Sequence, residues 1–196
     1  MSVAVLGGRD GLGAVLAAEL GADLLDGPDR VTDQHDGVVL IVGADPPPAV
    51  APLADLDAAG WAAQSEDVIE GAIRVLQAAH AHRVGRVVVV VPTVGIAGAD
   101  ALVALTTAVE GVRALAKSAA RQWAGDGIGV NIVAVPIALL VPQLVGATRH
   151  LAPAVAADAA TLPGSVAATV RFLLSPAAAS VIGSTVVVDG GTVMAP

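Results

Sequence analysis

Several residue types are scarce in this sequence. It has no cysteine and no tyrosine, and it has one phenylalanine and two tryptophans among 196 residues. Without cysteine, disulfide bonds, thiolate catalysis and cysteine-ligated metal sites are excluded. Few aromatic side chains and a net charge of −8 argue against a nucleic-acid partner, because single-stranded nucleic acid stacks on aromatic rings and an acidic protein repels a polyanion.

Long apolar runs without a breaker are absent as well. A membrane-spanning helix needs about 18 or more consecutive apolar residues, so we expect no membrane partner. Met1 and Ser2 lead directly into an apolar segment, which leaves no room for a signal peptide and predicts a cytoplasmic protein. The four histidines are scattered. His80 and His82 stand near a predicted helix end, where a cation suits the helix dipole, and we expect no metal site.

Aliphatic residues dominate what is present. Hydrophobic residues make up 55% of the chain and charged residues 14%, so a large core can be buried. No repeat, linker or low-complexity segment divides the chain. These features predict one α/β domain over residues 1–196, with one sheet and helices on both faces.

The first fifteen residues have the order strand, glycine turn, helix. The apolar run Val3–Leu6 is followed by Gly7, Gly11 and Gly13, and then by helix-forming residues. A dinucleotide site uses this order, because a turn without Cβ atoms lets backbone N–H groups and a helix N-terminus approach a pyrophosphate. A tight strand-to-helix turn without a ligand has the same pattern, so both interpretations stay open at this point.

The rest of the chain alternates between strand and helix patterns. Continuous apolar runs predict buried strands, and apolar residues about every three to four positions predict helices. The predicted strands are residues 22–26, 38–42, 86–91, 128–135 and 185–188, and the predicted helices are residues 14–20, 61–81, 100–123 and 163–174. Residues 53–60 are interpreted as a loop or a short helical turn, and residues 139–162 as a loop with helical pieces.

The segment after the strand at residues 22–26 is short. Residues 27–37 are too few for a helix and a strand, because a crossover between parallel strands takes about a dozen residues or more. Residues 31–33 are either a remnant edge strand or loop. The pattern therefore predicts that the third βα unit is shortened or missing.

Asp26 stands at the end of that strand. In a dinucleotide fold, an acidic residue there accepts hydrogen bonds from the adenosine ribose and repels a 2′-phosphate. NAD is therefore favoured over NADP if a nucleotide binds. Residues 26–29 are also typical of a plain turn, with the sequence Asp-Gly-Pro-Asp, and this alternative is equally open.

With its segments in this order, the chain resembles the short-chain dehydrogenase/reductase family along almost its whole length. The sequence LGGRDGLG at residues 6–13 looks like the family's TGxxxGxG turn. Trp61 followed by Gly71 looks like the helix after the family's fourth strand. Similar motifs continue with GIGVNIV at residues 127–133, VRFLLS at 170–175, IG at 182–183 and VDGG at 188–191. The resemblance implies a Rossmann-like, doubly wound parallel sheet.

The resemblance also implies a cofactor site. NAD would contact seven residues, which are Gly7, Arg9, Gly11, Leu12, Gly13, Asp26 and Gly43. The family's NNAG after the fourth strand is VGAD at residues 42–45 here, and its PG…T segment is Val135-Pro136 without a matching threonine. Asp45 places a carboxylate where a cofactor would pass, so the expected NAD binding is weak.

The catalytic residues of the family are replaced at the corresponding positions. In the family, Tyr exchanges a proton with the substrate, Lys lowers the pKa of that Tyr and holds the nicotinamide ribose, Ser orients the substrate oxygen, and Asn supports a water relay. These positions fall on Leu102 for Tyr, Thr106 for Lys, Thr93 for Ser and Val68 for Asn. The Tyr has not slipped in the alignment, because the chain contains none.

Three functions follow as hypotheses. The first is a catalytically inactive subunit that pairs with an active short-chain dehydrogenase, of the 3-hydroxyacyl-CoA dehydrogenase or ketoacyl reductase type, or with itself. In the family such dimers and tetramers form through two long helices, here residues 61–81 and 100–123. The second is a divergent NAD-dependent oxidoreductase that uses Thr93, Asp45 or Asp100. The third is a module that binds NAD without catalysis.

Overall fold

Six parallel strands form the centre of the protein. The computed structural model describes residues 1–151 and 160–194. Within them the strands are β1 (Val3–Leu6), β2 (Asp23–Leu25), β3 (Gly37–Ile41), β4 (Arg86–Pro92), β5 (Gly129–Val135) and β6 (Thr185–Val187). Their spatial order is β2-β1-β3-β4-β5-β6, and each neighbouring pair is parallel. Every strand predicted from an apolar run is confirmed, with ends that differ by at most one residue.

The central strands are buried on both faces. Residues of β3 and β5 are buried along their whole length, and Val87 to Val91 of β4 are at most 1% exposed. A parallel sheet covered by helices on both sides requires such uninterrupted aliphatic runs. The high aliphatic content of the chain is therefore used in this sheet and in the helix faces that pack on it.

The helices of the described residues lie in two layers. They are α1 (Leu12–Leu20), α2 (Ala58–Trp61), α3 (Asp67–Ala81), α4 (Val94–Ala97), α5 (Val103–Trp123), α6 (Ile137–Leu140) and α7 (Leu162–Leu174). α1 packs on α7, and α3 packs on α5. The connection from β1 runs to β2 on one side, and the connection from β3 runs to β4 on the other side. Because both crossovers are right-handed, α1 and α3 cover opposite faces of the sheet. The sheet is therefore doubly wound and Rossmann-like, as predicted. Among the helices in this part of the chain, none is both long and apolar enough to cross a membrane.

The two long helices begin at other residues than predicted. The helical run expected from Trp61 starts at Ala58, because the Asp57 carboxylate accepts a hydrogen bond from Gly60 N (2.7 Å) and caps it. A π-helical turn, Ala62–Glu66, then joins α2 to α3. The helix expected from residue 100 starts only at Val103, because Ala101 adopts a left-handed backbone conformation (φ +58°).

Two loop regions contain more helix than expected. The loop after β4 includes the short helix α4, which the sequence pattern did not indicate. The segment 139–162 begins with the end of α6 and a 3-10 helix, Pro142–Thr148, which agrees with a loop that contains helical pieces. Residues 152–159 of that segment lie outside the described residues.

The third βα unit is absent between β2 and β3. Residues 26–36, all of which are described, contain one 3-10 turn, Pro28–Arg30, and residues 31–33 are loop rather than strand. His35 is buried at this edge of the sheet. Its buried ring accepts a hydrogen bond from Thr32 N at Nδ1 (3.0 Å), and its Nε2 lies 3.6 Å from Asp23 Oδ2 in β2.

The strand order reverses direction between β1 and β3. From β1 the chain turns to β2 on one side, and from β3 it continues to β4 on the other side. In open α/β sheets, ligands bind in the crevice at the carboxyl ends of the strands at such a point. The glycine turn after β1 and the loop after β3 meet here, and they define the candidate site.

Candidate functional site

Two glycines of the turn are required by the packing of the chain itself. Gly7 has φ +84°, and a Cβ atom there would collide with the carbonyl oxygen of Ile41 in β3. A Cβ atom at Gly13 would collide with the carbonyl oxygen of Gly7 and lie 2.6 Å from that of Gly8. These glycines let β1, β3 and α1 approach one another, so they are explained without a ligand.

Gly11 differs from these two glycines. A Cβ atom at this position would have no neighbouring heavy atom closer than Leu140 O, at 3.8 Å. The packing of the described residues therefore leaves room for a side chain at Gly11. In a dinucleotide fold, the glycine at this place allows the backbone to approach the pyrophosphate. Of Gly7, Gly11 and Gly13, Gly11 is therefore the glycine that a ligand would explain and that packing does not.

Several backbone N–H groups of the turn already have acceptors within the chain. The N–H groups of Gly11 and Gly13 donate to Gly8 O at 3.0 and 2.8 Å. The N–H of Arg9 donates to the Asp45 carboxylate, at 3.2 Å from Oδ2. Leu12 is 3% exposed, so its side chain belongs to the core and only its N–H, at the open end of α1, can face a ligand. The anion-binding capacity of this turn is therefore partly used internally.

The charged groups beside the turn also bind one another. The Arg9 guanidinium forms an ion pair with the Asp26 carboxylate, which follows β2. Both residues were predicted to contact NAD. In the structure they lie together, but they bind each other. The Asp26 oxygen that would accept a ribose hydroxyl in a dinucleotide fold instead neutralises the cation of the turn.

A cleft of about 280 Å³ opens between these groups. Gly7, Asp26 and Gly43 line it, as expected, and so do Asp45 and Asp67. No Lys or Arg is among its lining residues in the described part of the chain. Asp26 is paired with Arg9, so the carboxylates of Asp45 and Asp67 remain as negative charges that oppose a pyrophosphate. The residues present therefore do not fit a dinucleotide while Asp45 occupies the turn.

Asp67 was not identified from the sequence. It stands at the start of α3, immediately before Val68, the residue predicted to stand near the position of the catalytic Asn of the family. The alignment that placed Val68 therefore also contained the signal for Asp67. Its exposed carboxylate lines the cleft.

The four residues predicted to stand at the catalytic positions of the family carry no acid or base. Leu102 is 2% exposed and directly precedes α5, where its carbonyl accepts the N–H of Thr106 (2.9 Å). The Thr106 hydroxyl donates to Val103 O (3.0 Å), a bond within the first turn of α5. Thr93, 1% exposed, follows β4, and Val68 is half-buried in the wall of the cleft. None of the four side chains titrates near neutral pH.

A second cavity lies beside the loop that precedes α5. It measures about 470 Å³ and includes Asp100, Arg149 and His150 among its lining residues. His150 Nε2 lies 3.0 Å from Gly98 O, and since a carbonyl only accepts, Nε2 carries the proton in this bond. Asp45 and Asp100, the two acidic residues considered as replacement catalysts, line different cavities. Sequence spacing did not indicate Arg149 or His150, which are near Asp100 only through folding.

Two motif residues near β6 have structural roles. The buried Asn131 in β5 donates from Nδ2 to Val181 O (2.7 Å) and accepts at Oδ1 from Ser184 N (3.0 Å). Asp189 is 3% exposed. Its carboxylate accepts hydrogen bonds from the N–H groups of Gly191 (2.8 Å), Thr192 (3.2 Å) and Val193 (2.7 Å). Both side chains satisfy backbone groups of the segment that carries β6.

The histidines considered for metal binding are placed at a helix end. His80 stacks on Trp123, with 4.8 Å between ring centroids, and its Nε2 lies 3.6 Å from Asp126 Oδ2. In the described ranges, no three His, Asp or Glu side chains are grouped so that they could hold a metal ion. His80 thus joins the carboxy-terminal ends of α3 and α5.

Comparisons with known proteins cover most of the chain. The family model described as Enoyl-(Acyl carrier protein) reductase matches residues 19–193, a range that begins within α1 and leaves out the glycine turn. Cis-4-hydroxycyclohexanecarboxylate dehydrogenase from Sinomonas cyclohexanicum is 33% identical over 165 residues, which cover 78% of this chain and 64% of the relative. The chain therefore spans slightly less than two thirds of the length of this relative.

Two solved structures share the fold. A short chain oxidoreductase from Pseudomonas aeruginosa PAO1, described as containing an atypical catalytic center, has a TM-score of 0.74 and 18% identity, over 100% of this chain and 98% of the other. Sorbitol-6-phosphate 2-dehydrogenase from Erwinia amylovora has a TM-score of 0.76 and 18% identity, over 98% of this chain and 100% of the other. Together with the family model and the curated relative, the topology and motifs show that the chain belongs to the short-chain dehydrogenase/reductase family of oxidoreductases, whose members generally bind NAD or NADP.

Proposed function

We propose that this chain is a non-catalytic member of its family that pairs with an active short-chain dehydrogenase and supports it. The observation that carries the proposal is the buried Leu102 at the position of the catalytic Tyr, directly before α5. Loss of a general acid/base alone lowers rates by about 10²- to 10⁴-fold. Thr106 at the Lys position makes the loss larger, because its hydroxyl is bonded to its own helix.

The pairing surface that we propose is the outer side of α3 and α5. These helices pack on each other with Gly111 at their contact, where a Cβ atom would lie 3.2 Å from Ile69 Cδ1. On α5 the exposed residues include Glu110 in the first half, Ala114 in the middle, and Lys117 and Arg121 in the second half. We propose that the partner presents a long helix that is also acidic in its first half. Packed antiparallel on α5 around Ala114, its acidic half would face Lys117 and Arg121.

The comparisons support a partner that acts on acids or their thioesters. The matching family model is described as Enoyl-(Acyl carrier protein) reductase, and the curated relative is a dehydrogenase of a hydroxycyclohexanecarboxylate. A partner of the 3-hydroxyacyl-CoA dehydrogenase or ketoacyl reductase type agrees with both. A dimer or tetramer of this chain alone is the alternative assembly through the same helices.

The proposal is tested by co-purification of the tagged chain from native extract, followed by gel filtration and an activity assay with NAD(H) and NADP(H). We expect an active short-chain dehydrogenase to co-elute with the wild-type chain. Ala114→Arg on α5 should abolish this association. Ala18→Arg on the exposed side of α1, which covers the opposite face of the sheet, is the matched control and should retain it. Recovery of a stable monomer under all conditions, including co-expression with dehydrogenase homologues, contradicts the proposal.

A divergent oxidoreductase is the second candidate function. It is favoured by the 470 Å³ cavity in which Asp100, Arg149 and His150 bring a carboxylate, a guanidinium and an imidazole together, close in the chain to Leu102 at the Tyr position. Such an enzyme must bind a nicotinamide nucleotide. Calorimetry with millimolar NAD or NADH separates the two functions, because the absence of saturable binding excludes the enzyme. Binding without turnover, lost in Gly11→Asp, would instead indicate a module that senses NAD.

A further inference from the structure

The loop after β3 carries a carboxylate to the glycine turn. Val42 continues the strand with a bond from its N–H to Val90 O (2.9 Å), and Gly43 then redirects the chain with φ +81°. Asp45 thereby reaches the turn, where its Oδ2 accepts the N–H of Arg9 at 3.2 Å. We propose that Asp45 is a specificity residue that competes with phosphate for the glycine turn, so that this cleft selects against dinucleotides.

The chemistry of the contact supports this role. Backbone N–H groups beside a helix N-terminus bind anions, and phosphate and carboxylate oxygens accept such bonds in the same way. A phosphate that takes the Arg9 N–H must displace Asp45 or share the turn with its negative charge. The second arrangement is disfavoured by repulsion at short distance.

The surrounding charges do not relieve this repulsion. Arg9, the cation of the turn, is paired with Asp26, and Asp67 adds a third carboxylate to the wall of the cleft. Space, in contrast, is available, since the nearest atom to a Cβ at Gly11 would be 3.8 Å away. The barrier to a phosphate is therefore electrostatic, and removal of one charge should lower it.

The test is a titration of the full chain with NADH, followed by fluorescence, and with inorganic pyrophosphate, followed by calorimetry. We expect Asp45→Asn to bind both probes at least about tenfold more tightly than the wild-type chain. Asp45→Ala also releases the Arg9 N–H and should bind at least as tightly as Asp45→Asn. Asp55→Asn is the matched control, because Asp55 is exposed and outside the cleft but its removal changes the net charge equally. It should bind like the wild-type chain.

Salt dependence distinguishes charge from shape. The gain in Asp45→Asn should shrink as the salt concentration rises from about 0.01 M to about 0.2 M, because screening weakens repulsion between exposed charges. Equal binding by the wild-type chain and both Asp45 variants overturns the inference. So does an equal gain in Asp55→Asn or a gain that salt does not change. The inference stands apart from the proposed pairing, which is judged by association in extract, and restored NADH binding without turnover leaves that proposal intact.

Discussion

The segment around β6 and the cleft beside β1 both carry family motifs, but their polar groups are used differently. Near β6, Asn131 and Asp189 are buried and each bonds to backbone groups of residues 181–193. At the cleft and the glycine turn beside it, Asp26, Asp45 and Arg9 are exposed and bind mainly one another. The first set holds the chain together, whereas the second occupies positions where a cofactor would bind.

This difference separates polar groups that hold the fold from polar groups that lie where a cofactor would bind. A buried amide that satisfies two backbone groups stabilises the fold whether or not a substrate binds. A cation or carboxylate on the rim of a cleft contributes little to the stability of the fold. The motifs near β6 are therefore evidence of the fold, and the cleft is where evidence about function must be sought.

The glycine turn gives the strongest test of this comparison. It contains Gly13, which packing requires, and Gly11, which packing does not require. We expect Gly13→Ala to lower the free energy of unfolding by at least about 3 kcal/mol, since the new Cβ would meet backbone oxygens that have no room to move. Gly11→Ala should change it by no more than about 1 kcal/mol. Urea unfolding measures both. Equal destabilisation by the two variants would show that Gly11 is also kept by packing.

Asn131 tests the structural half of the comparison. Asn131→Ala leaves Val181 O and Ser184 N without their partner in a partly buried site, and we expect a loss of about 2 kcal/mol in the free energy of unfolding. Gln77→Ala, at an exposed position of α3, is the control and should change it by less than about 0.5 kcal/mol. Thermal unfolding in which Asn131→Ala matches the control would break the comparison.

Arg9 tests the other half, with the smallest expected effect. The ion pair with Asp26 is largely exposed, at 48% for the Arg9 side chain and 75% for that of Asp26. Arg9→Gln should therefore change the free energy of unfolding by less than about 1 kcal/mol. Urea unfolding of this variant beside Asn131→Ala provides the measurement. A decrease in the free energy of unfolding as large as that of Asn131→Ala would mean that the charges beside the cleft also stabilise the fold.

The sequence predicted most of the sheet and less of the helix ends. Uninterrupted runs such as Val87 to Val91 have one common solution, a strand buried on both faces. The predicted start of α5 was wrong by three residues. Ala101 adopts a left-handed backbone conformation, and an alanine in the sequence gives no signal for it, as a glycine would. The short helix α4 was not predicted, since four residues carry too little periodic pattern.

Three of the residues predicted to contact NAD lie together in the structure, but the contacts that their charges make were not predicted. The residues at Gly7, Asp26 and Gly43 were expected to share a site, and they line one cleft. Their charges were expected to meet a cofactor, whereas Asp26 meets Arg9. Positions follow from strand order, but the partner of an exposed side chain depends on what else the loops bring near it.

By itself, the sequence determined the doubly wound sheet, the shortened third unit and the absence of a catalytic Tyr, because these depend on local pattern, chain length and residue type. Only the tertiary structure decided that Asp45 takes the N–H of Arg9 and that Gly11 alone of the three turn glycines is not needed by packing. The first fact depends on the loop after β3, more than thirty residues away in the chain, and the second on how the folded turn lies against its own backbone and against Leu140. Distances of this kind exist only once the sheet has formed.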